Sequence, residues 1–276
     1  MQKFVLGFLW VGLLDAAGAG VAWEGGWIEA AATHALPPPT VFIGGCAFDP
    51  DGAPLVFDGQ ALVRILDGGG SEEIYRPQEP VFGSFVKARG GKVYFGESTN
   101  GTITEIELAT KAWRVVEVAA FNMDLAFDAA GRPFVSALSP NGSVDKPLNG
   151  IFLLDLDPAT PPDLVVEVPG YSGPLAFGPG GDLFVATAAA MGPADVLRFP
   201  AAVVAAGIGP AHATAADGAI FCAQLPGAYG LVFGSFGLLY ASDSWNGCVT
   251  AIRPDGTAFT WAAPVEGYAS VTSIDY

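Results

Sequence analysis

One phrase recurs five times along this chain and constrains its fold more than any other feature. It reads AFDPDGAPLVF at 47–57, VKARGGKVYF at 86–95, AFDAAGRPFV at 126–135, AFGPGGDLFV at 176–185 and VFGSFGLLYA at 232–241. Each copy is an apolar segment, a turn carrying glycine (Gly52, Gly91, Gly131, Gly181, Gly237) and a second apolar segment. The first three glycines recur at roughly 40-residue intervals and the later ones further apart, a period of stacked β-sheet units. A lone hairpin cannot bury its apolar face, so the copies must pack on one another. The expected fold is all-β: a β-propeller of at least five four-stranded blades, of a six-bladed type that is truncated or incompletely closed.

The rest of each unit supplies the outer strands. Third strands are expected at 61–66, 102–108, 151–156, 196–199 and 249–253, and fourth strands at 73–76, 113–118, 164–168, 219–223 and 258–261. TITEIEL at 102–108 alternates strictly, the pattern of a half-exposed strand. Asn100-Gly101, Asn149-Gly150 and Asn246-Gly247 are expected to turn second strands into third ones, since Asn-Gly suits the positive φ angles of tight hairpins. Phe48, Val86, Phe127, Phe177 and Phe233 are expected to be buried between blades. Two insertions break the rhythm, at 136–150 and 200–218; the second opens with Pro200 and is expected to form a short helix ended by Gly207.

Composition narrows the partners. The chain has 28 acidic and 12 basic residues in 276, a formal net charge of −16, with no basic cluster. Such a surface repels phosphate backbones, which excludes nucleic acid as a partner class. The chain begins with Lys3, an apolar run at 4–14 and the small residues Ala17-Gly18-Ala19. That run is too short to span a bilayer and has the form of a secretory signal. The expected organisation is a signal peptide at 1–19, an N-terminal segment with a possible closing strand at 20–40, and the propeller at 41–276. The expected location is outside the cell or in the periplasm, with no stable membrane span. Near the C-terminus, VTSIDY at 271–276 opens like a further copy of the phrase.

The chemistry-bearing residues are few. Cys46, Cys222 and Cys248 have no metal-type spacing; buried free thiols are expected, a Cys222–Cys248 disulfide being the alternative. His34 and His212 both fall outside the expected core strands, where no base could be held against a serine nucleophile. Catalysis by histidine or cysteine is therefore not expected.

The phrases resemble the NHL-repeat and gluconolactonase-like superfamily of propellers. The stretches 45–58 and 230–243 carry the resemblance best, the latter running into YASDSWNG. The resemblance implies sugar lactonases, streptogramin-lyase-like enzymes or noncatalytic binding modules, and for the lactonases Asn or Asp metal ligands at the entry of the inner strands. The matching positions here are Gly44, Gly83 (or Phe82, if the blade-two turn holds an extra residue), Met123, Gly173 and Tyr229. Only Asn122 and Asp124, beside Met123, offer oxygen ligands.

A second carboxylate set follows from the repeat itself. Asp58, Glu97 and Asp243 each stand six residues after their glycine, at the end of a second strand. Inner-strand starts and second-strand ends open on one face of a propeller, so Asp58, Glu97, Asn122, Asp124 and Asp243 are expected at one mouth, with Trp245 nearby. Turn bonding by the acids is one reading of this set; a site for a cation or cationic ligand is the other. The expected function is a secreted binding or scaffold module for a small molecule or protein. The alternative is a metal-dependent lactonase or hydrolase with a noncanonical carboxylate site. No cofactor is expected beyond Ca²⁺ or another divalent cation.

Overall fold

The glycine of every repeat takes a conformation that other residues avoid: φ is 85° at Gly52, 80° at Gly91, 82° at Gly131, 84° at Gly181 and 71° at Gly237. In blades one and three an aspartate completes this turn, Asp49 Oδ1 accepting from the backbone of Asp51 and Ala53, and Asp128 Oδ1 from that of Arg132. Each such turn reverses the chain between two apolar strands. The computed structural model describes residues 20–23, 26–29 and 45–264, apart from 67–69, 120, 144, 157–159, 188–192, 235–236 and 244–247.

Five antiparallel four-stranded blades result. Blade one comprises Cys46–Phe48, Pro54–Phe57, Leu62–Ile65 and Ser71–Tyr75; blade two Gly83–Arg89, Lys92–Glu97, Thr102–Glu107 and Trp113–Glu117. Blade three comprises Asp124–Phe127, Pro133–Leu138, Leu148–Leu153 and Asp163–Pro169, and blade four Leu175–Phe177, Leu183–Ala186, Ala194–Phe199 and Ala219–Leu225. Blade five comprises Gly230–Phe233, Leu239–Asp243, Cys248–Ile252 and Ala258–Pro264. Inner strands of successive blades adjoin from blade one to blade five. The second strands are almost wholly buried, and rings interlock between blades: Tyr94 on Phe127 at 5.1 Å, Phe134 on Phe177 at 4.9 Å, Phe184 on Phe233 at 4.9 Å. Val86 is fully buried, whereas Phe48, Phe127, Phe177 and Phe233 are half-buried, because they lie at the far end of the inner strand beside the turn.

Three local expectations change in the structure. The blade-two hairpin pairs Arg89 with Lys92 across Gly90-Gly91 alone, a tighter turn than in the other blades rather than one with an extra residue. Ala88, opposite Val93, is therefore the counterpart of Phe127, and Ser84 the counterpart of Met123. Asn149-Gly150 is not a turn; both residues pair within strand Leu148–Leu153, and the reversal lies at 139–147. Strand Thr102–Glu107 is not half-exposed, since neighbouring layers cover both faces: Thr104 is 0% and Glu105 7% exposed. Glu105 remains charged there through Lys92 and Arg114, each 3.0 Å away.

Two blades carry added strands on their outer edges. The 200–218 insertion forms the expected helix, Ala201–Gly207, entered from Pro200, with Asp182 Oδ1 accepting from the Ala201 N–H at 2.9 Å. Its continuation, Ala213–Thr214, pairs in parallel with Asp163–Pro169, so an excursion from blade four extends blade three. The hairpin of Gly20–Trp23 and Gly26–Glu29 lies along Ala258–Pro264, adding two strands to blade five. Covering exposed edges in this way suppresses edge-to-edge aggregation. Residues 271–276 lie outside the described ones. No helix among the described residues is long and apolar enough to cross a membrane.

Candidate functional site

The expected site residues stand at the strand ends the sequence implied, and most are engaged with neighbouring backbone or turns. Asp58 follows the second strand of blade one, and its Oδ1 accepts from the N–H groups of Gln60 and Ala61, both at 2.8 Å. Glu97, 7% exposed, ends the second strand of blade two, and its Oε2 accepts from Thr102 Oγ1 at 3.2 Å and Asn100 Nδ2 at 3.3 Å. Asp243 is buried at the corresponding place in blade five, with Cys248 Sγ 3.8 Å from its Oδ2. Trp245 lies outside the described residues.

Asn122 and Glu97 are brought together. The Asn122 amide is fully buried and donates to the Glu97 carbonyl at 3.2 Å and the Thr102 carbonyl at 3.0 Å, while its Oδ1 accepts from Ser84 Oγ at 2.6 Å. Every polar atom of this side chain is thus used to join the entry of blade three to blade two.

Asp124 joins three blades. Its Oδ1 is 3.1 Å from Lys87 Nζ on the inner strand of blade two and accepts from the Leu125 N–H, while its Oδ2 accepts from the Leu175 N–H on blade four at 3.1 Å. Burial pushes the Asp124 carboxyl above its ordinary range; the Lys87 charge and the two backbone donors act against that. Sequence reasoning missed Lys87, although a signal existed. At its place in the inner strand the other blades have Ala47, Ala126, Ala176 and Val232, so Lys87 is the lone charged residue of the set.

His34 lies outside the described residues. His212 Nε2 lies 3.8 Å from Glu167 Oε2, but the hydroxyl of Ser139 donates to Glu167 Oε1 and not to the imidazole. The three cysteines are free, and burial raises the thiols of Cys222 and Cys248, the nearby carboxylates Asp195 and Asp243 adding to the effect. Among the described residues no three side chains of His, Cys, Asp or Glu gather closely enough to hold a metal ion.

No family model and no curated protein matches the sequence. Solved structures match in fold. A gluconolactonase from Xanthomonas campestris superposes with a TM-score of 0.65 at 14% identity, over 86% of this chain and 80% of that one. Regucalcin from Agrobacterium tumefaciens, a calcium-binding protein, gives 0.58 at 15% identity, over 86% of this chain and 78% of that one. A chain of a nidogen/laminin complex gives 0.61 at 14% identity, over 94% and 97%. The chain therefore has the propeller fold of gluconolactonase-like and NHL-repeat proteins, a fold that serves enzymes and binding modules alike.

Proposed function

We propose that this chain is an exported propeller that binds or scaffolds, without catalysis by histidine or cysteine. The observation that supports it is the commitment of the mouth's polar groups to the scaffold. Asn122, Asp124 and Lys87 tie blades two, three and four together, and Asp58 and Glu97 close turns. Groups spent on such bonds would have to break them to coordinate a cation or move a proton. Export rests on Lys3, the apolar run at 4–14 and Ala17-Gly18-Ala19.

The likeness of fold to a gluconolactonase and to calcium-binding regucalcin favours a second reading, a cation-dependent hydrolase using Glu97, Asn122, Asp124 and Asp243. One pair of measurements separates the two: metal content of protein purified without added metal, and hydrolysis of gluconolactone with Ca²⁺, Mg²⁺ or Zn²⁺. The binding module gives no stoichiometric metal and no rate above spontaneous hydrolysis. Bound metal together with turnover that Asp124→Asn abolishes would establish the hydrolase instead.

A further inference from the structure

Exposed apolar side chains scattered singly over a protein need no explanation. Three here are not scattered. Phe82, Phe121 and Tyr171 are 52%, 57% and 40% exposed, and they stand on the linkers that enter blades two, three and four. The Ser98 N–H donates to the Phe82 carbonyl at 2.9 Å, and the Phe121 N–H donates to the Ser98 carbonyl at 2.8 Å. Ser172, next to Tyr171, donates its hydroxyl to the Phe121 carbonyl at 2.5 Å. The three linkers are welded through Ser98 and Ser172, so the aromatic residues follow one arc of a single mouth.

Phe121 is held there against its own preference. Its φ is 58°, the left-handed region, which costs a bulky side chain on the order of 1 kcal/mol. Glycine would take this conformation without strain, and an exposed ring gains little from packing.

On its blade-one and blade-two side the same rim is acidic, while beside Tyr171 the blade-three loop carries one exposed residue of each sign, Asp145 and Lys146. Gly83, Glu97, Thr102 and Glu117 lie side by side across blade two at this end. Exposed Glu117 ends the outer strand, exposed Glu79 lies in the linker from blade one, and half-exposed Asp58 ends the second strand of blade one. Arg76, the cation of that linker, is already paired with Glu73 at 2.6 Å.

We propose that the Phe82–Phe121–Tyr171 arc docks an extended, arginine- or lysine-bearing segment of a protein partner across the mouth. Its cations lie over the ring faces and its charge is answered by Asp58, Glu79 and Glu117. This rests on the reading of the propeller as a binding module and names its partner class. Neutral carbohydrate also stacks on aromatic rings but leaves the acidic rim unanswered.

The test is fluorescence anisotropy with a labelled peptide alternating arginine and glycine, a matched peptide with glutamate for arginine, and cellohexaose as competitor. The arginine peptide is expected to bind saturably, more weakly as salt rises, and the glutamate peptide not at all. Phe82→Ala and Phe121→Ala are each expected to weaken binding about tenfold, the size of a partly desolvated cation–π contact. Phe121→Gly, which relieves the left-handed backbone, is expected to weaken binding equally while keeping or raising the melting temperature. Failure of the arginine peptide to bind, binding indifferent to both phenylalanines, or displacement by cellohexaose overturns the proposal. Such a failure without lactone turnover leaves the binding-module reading standing, whereas stoichiometric metal with turnover overturns that reading itself.

Discussion

Lys87 and Asp124 break the repeat at adjoining inner strands and break it toward each other, their charged atoms 3.1 Å apart and their side chains 13% and 4% exposed. Where the other inner strands carry alanine or valine, blade two places an ammonium; where Gly230 opposes Ser242, blade three places a carboxylate opposite Ser136. Burial makes the Asp124 carboxylate costly to keep without the Lys87 charge.

Removing one partner is therefore more harmful than removing both. Lys87→Met strands a buried carboxylate and is expected to cost about 3–5 kcal/mol in urea unfolding. The double variant Lys87→Met/Asp124→Asn is expected to recover most of that loss, since it removes both charges while the amide oxygen can still accept from the buried Leu175 N–H. A double variant as unstable as the sum of its singles would show that the two residues do not act as a pair.

Alkaline stability is expected to depend on Tyr94. Burial, aided by the charge and hydrogen bond of Glu105, pushes its phenol up to about 12, above the value of about 10 in the unfolded chain. A raised value means that folding holds the proton, so this contribution is complete below about pH 10 and disappears as pH climbs toward 12. Tyr94→Phe should move the alkaline unfolding midpoint upward, read by circular dichroism, and remove one late-titrating phenolate from the absorbance curve.

The acid limb has the opposite sign. Burial alone would raise the Glu105 carboxyl, but the hydrogen bonds and charges of Lys92 and Arg114 overcome it and hold the group below its ordinary value. Its stabilisation is present above the unfolded carboxylate range and is lost as pH falls through the depressed value. Glu105→Gln should cost about 1 kcal/mol at neutral pH, because both cations remain partly solvated, and should flatten the loss of stability on acidification.

The blade-four insertion is held to blade three through Gly207, where an added Cβ would lie 2.4 Å from the Val165 carbonyl oxygen. Backbone cannot yield as a flexible side chain does, so Gly207→Ala is expected to cost about 1–3 kcal/mol. Faster hydrogen exchange at Ala213 and Thr214, with blade one unaffected, would locate the damage at the added parallel strand.

Export is checked directly in the native host. The mature chain is expected to begin near Gly20. Exported protein that retains Gln2 and Lys3 would disprove cleavage.

The blades were legible in the sequence because everything that makes a blade is local: two apolar segments, a turn, and a glycine whose positive φ recurs at 52, 91, 131, 181 and 237. The candidate residues Asp58 and Glu97 were found at their strand ends by that same counting, and Asp124 through the family resemblance. What they bond to was not. Ser84 meets Asn122 from 38 positions away, and Asp124 reaches the backbone of Leu175 from 51 positions away, one blade spacing in each case. Contacts between blades depend on how separately folded sheets stack about the axis, and no periodicity within a strand encodes that. The 213–214 segment reads as part of blade four until the stack assembles, and no pattern within one strand joins Lys87 to Asp124 or Phe82 to Phe121. Only then do a charge pair, an aromatic rim and a borrowed edge strand come into being, because each is made from halves that the chain holds far apart.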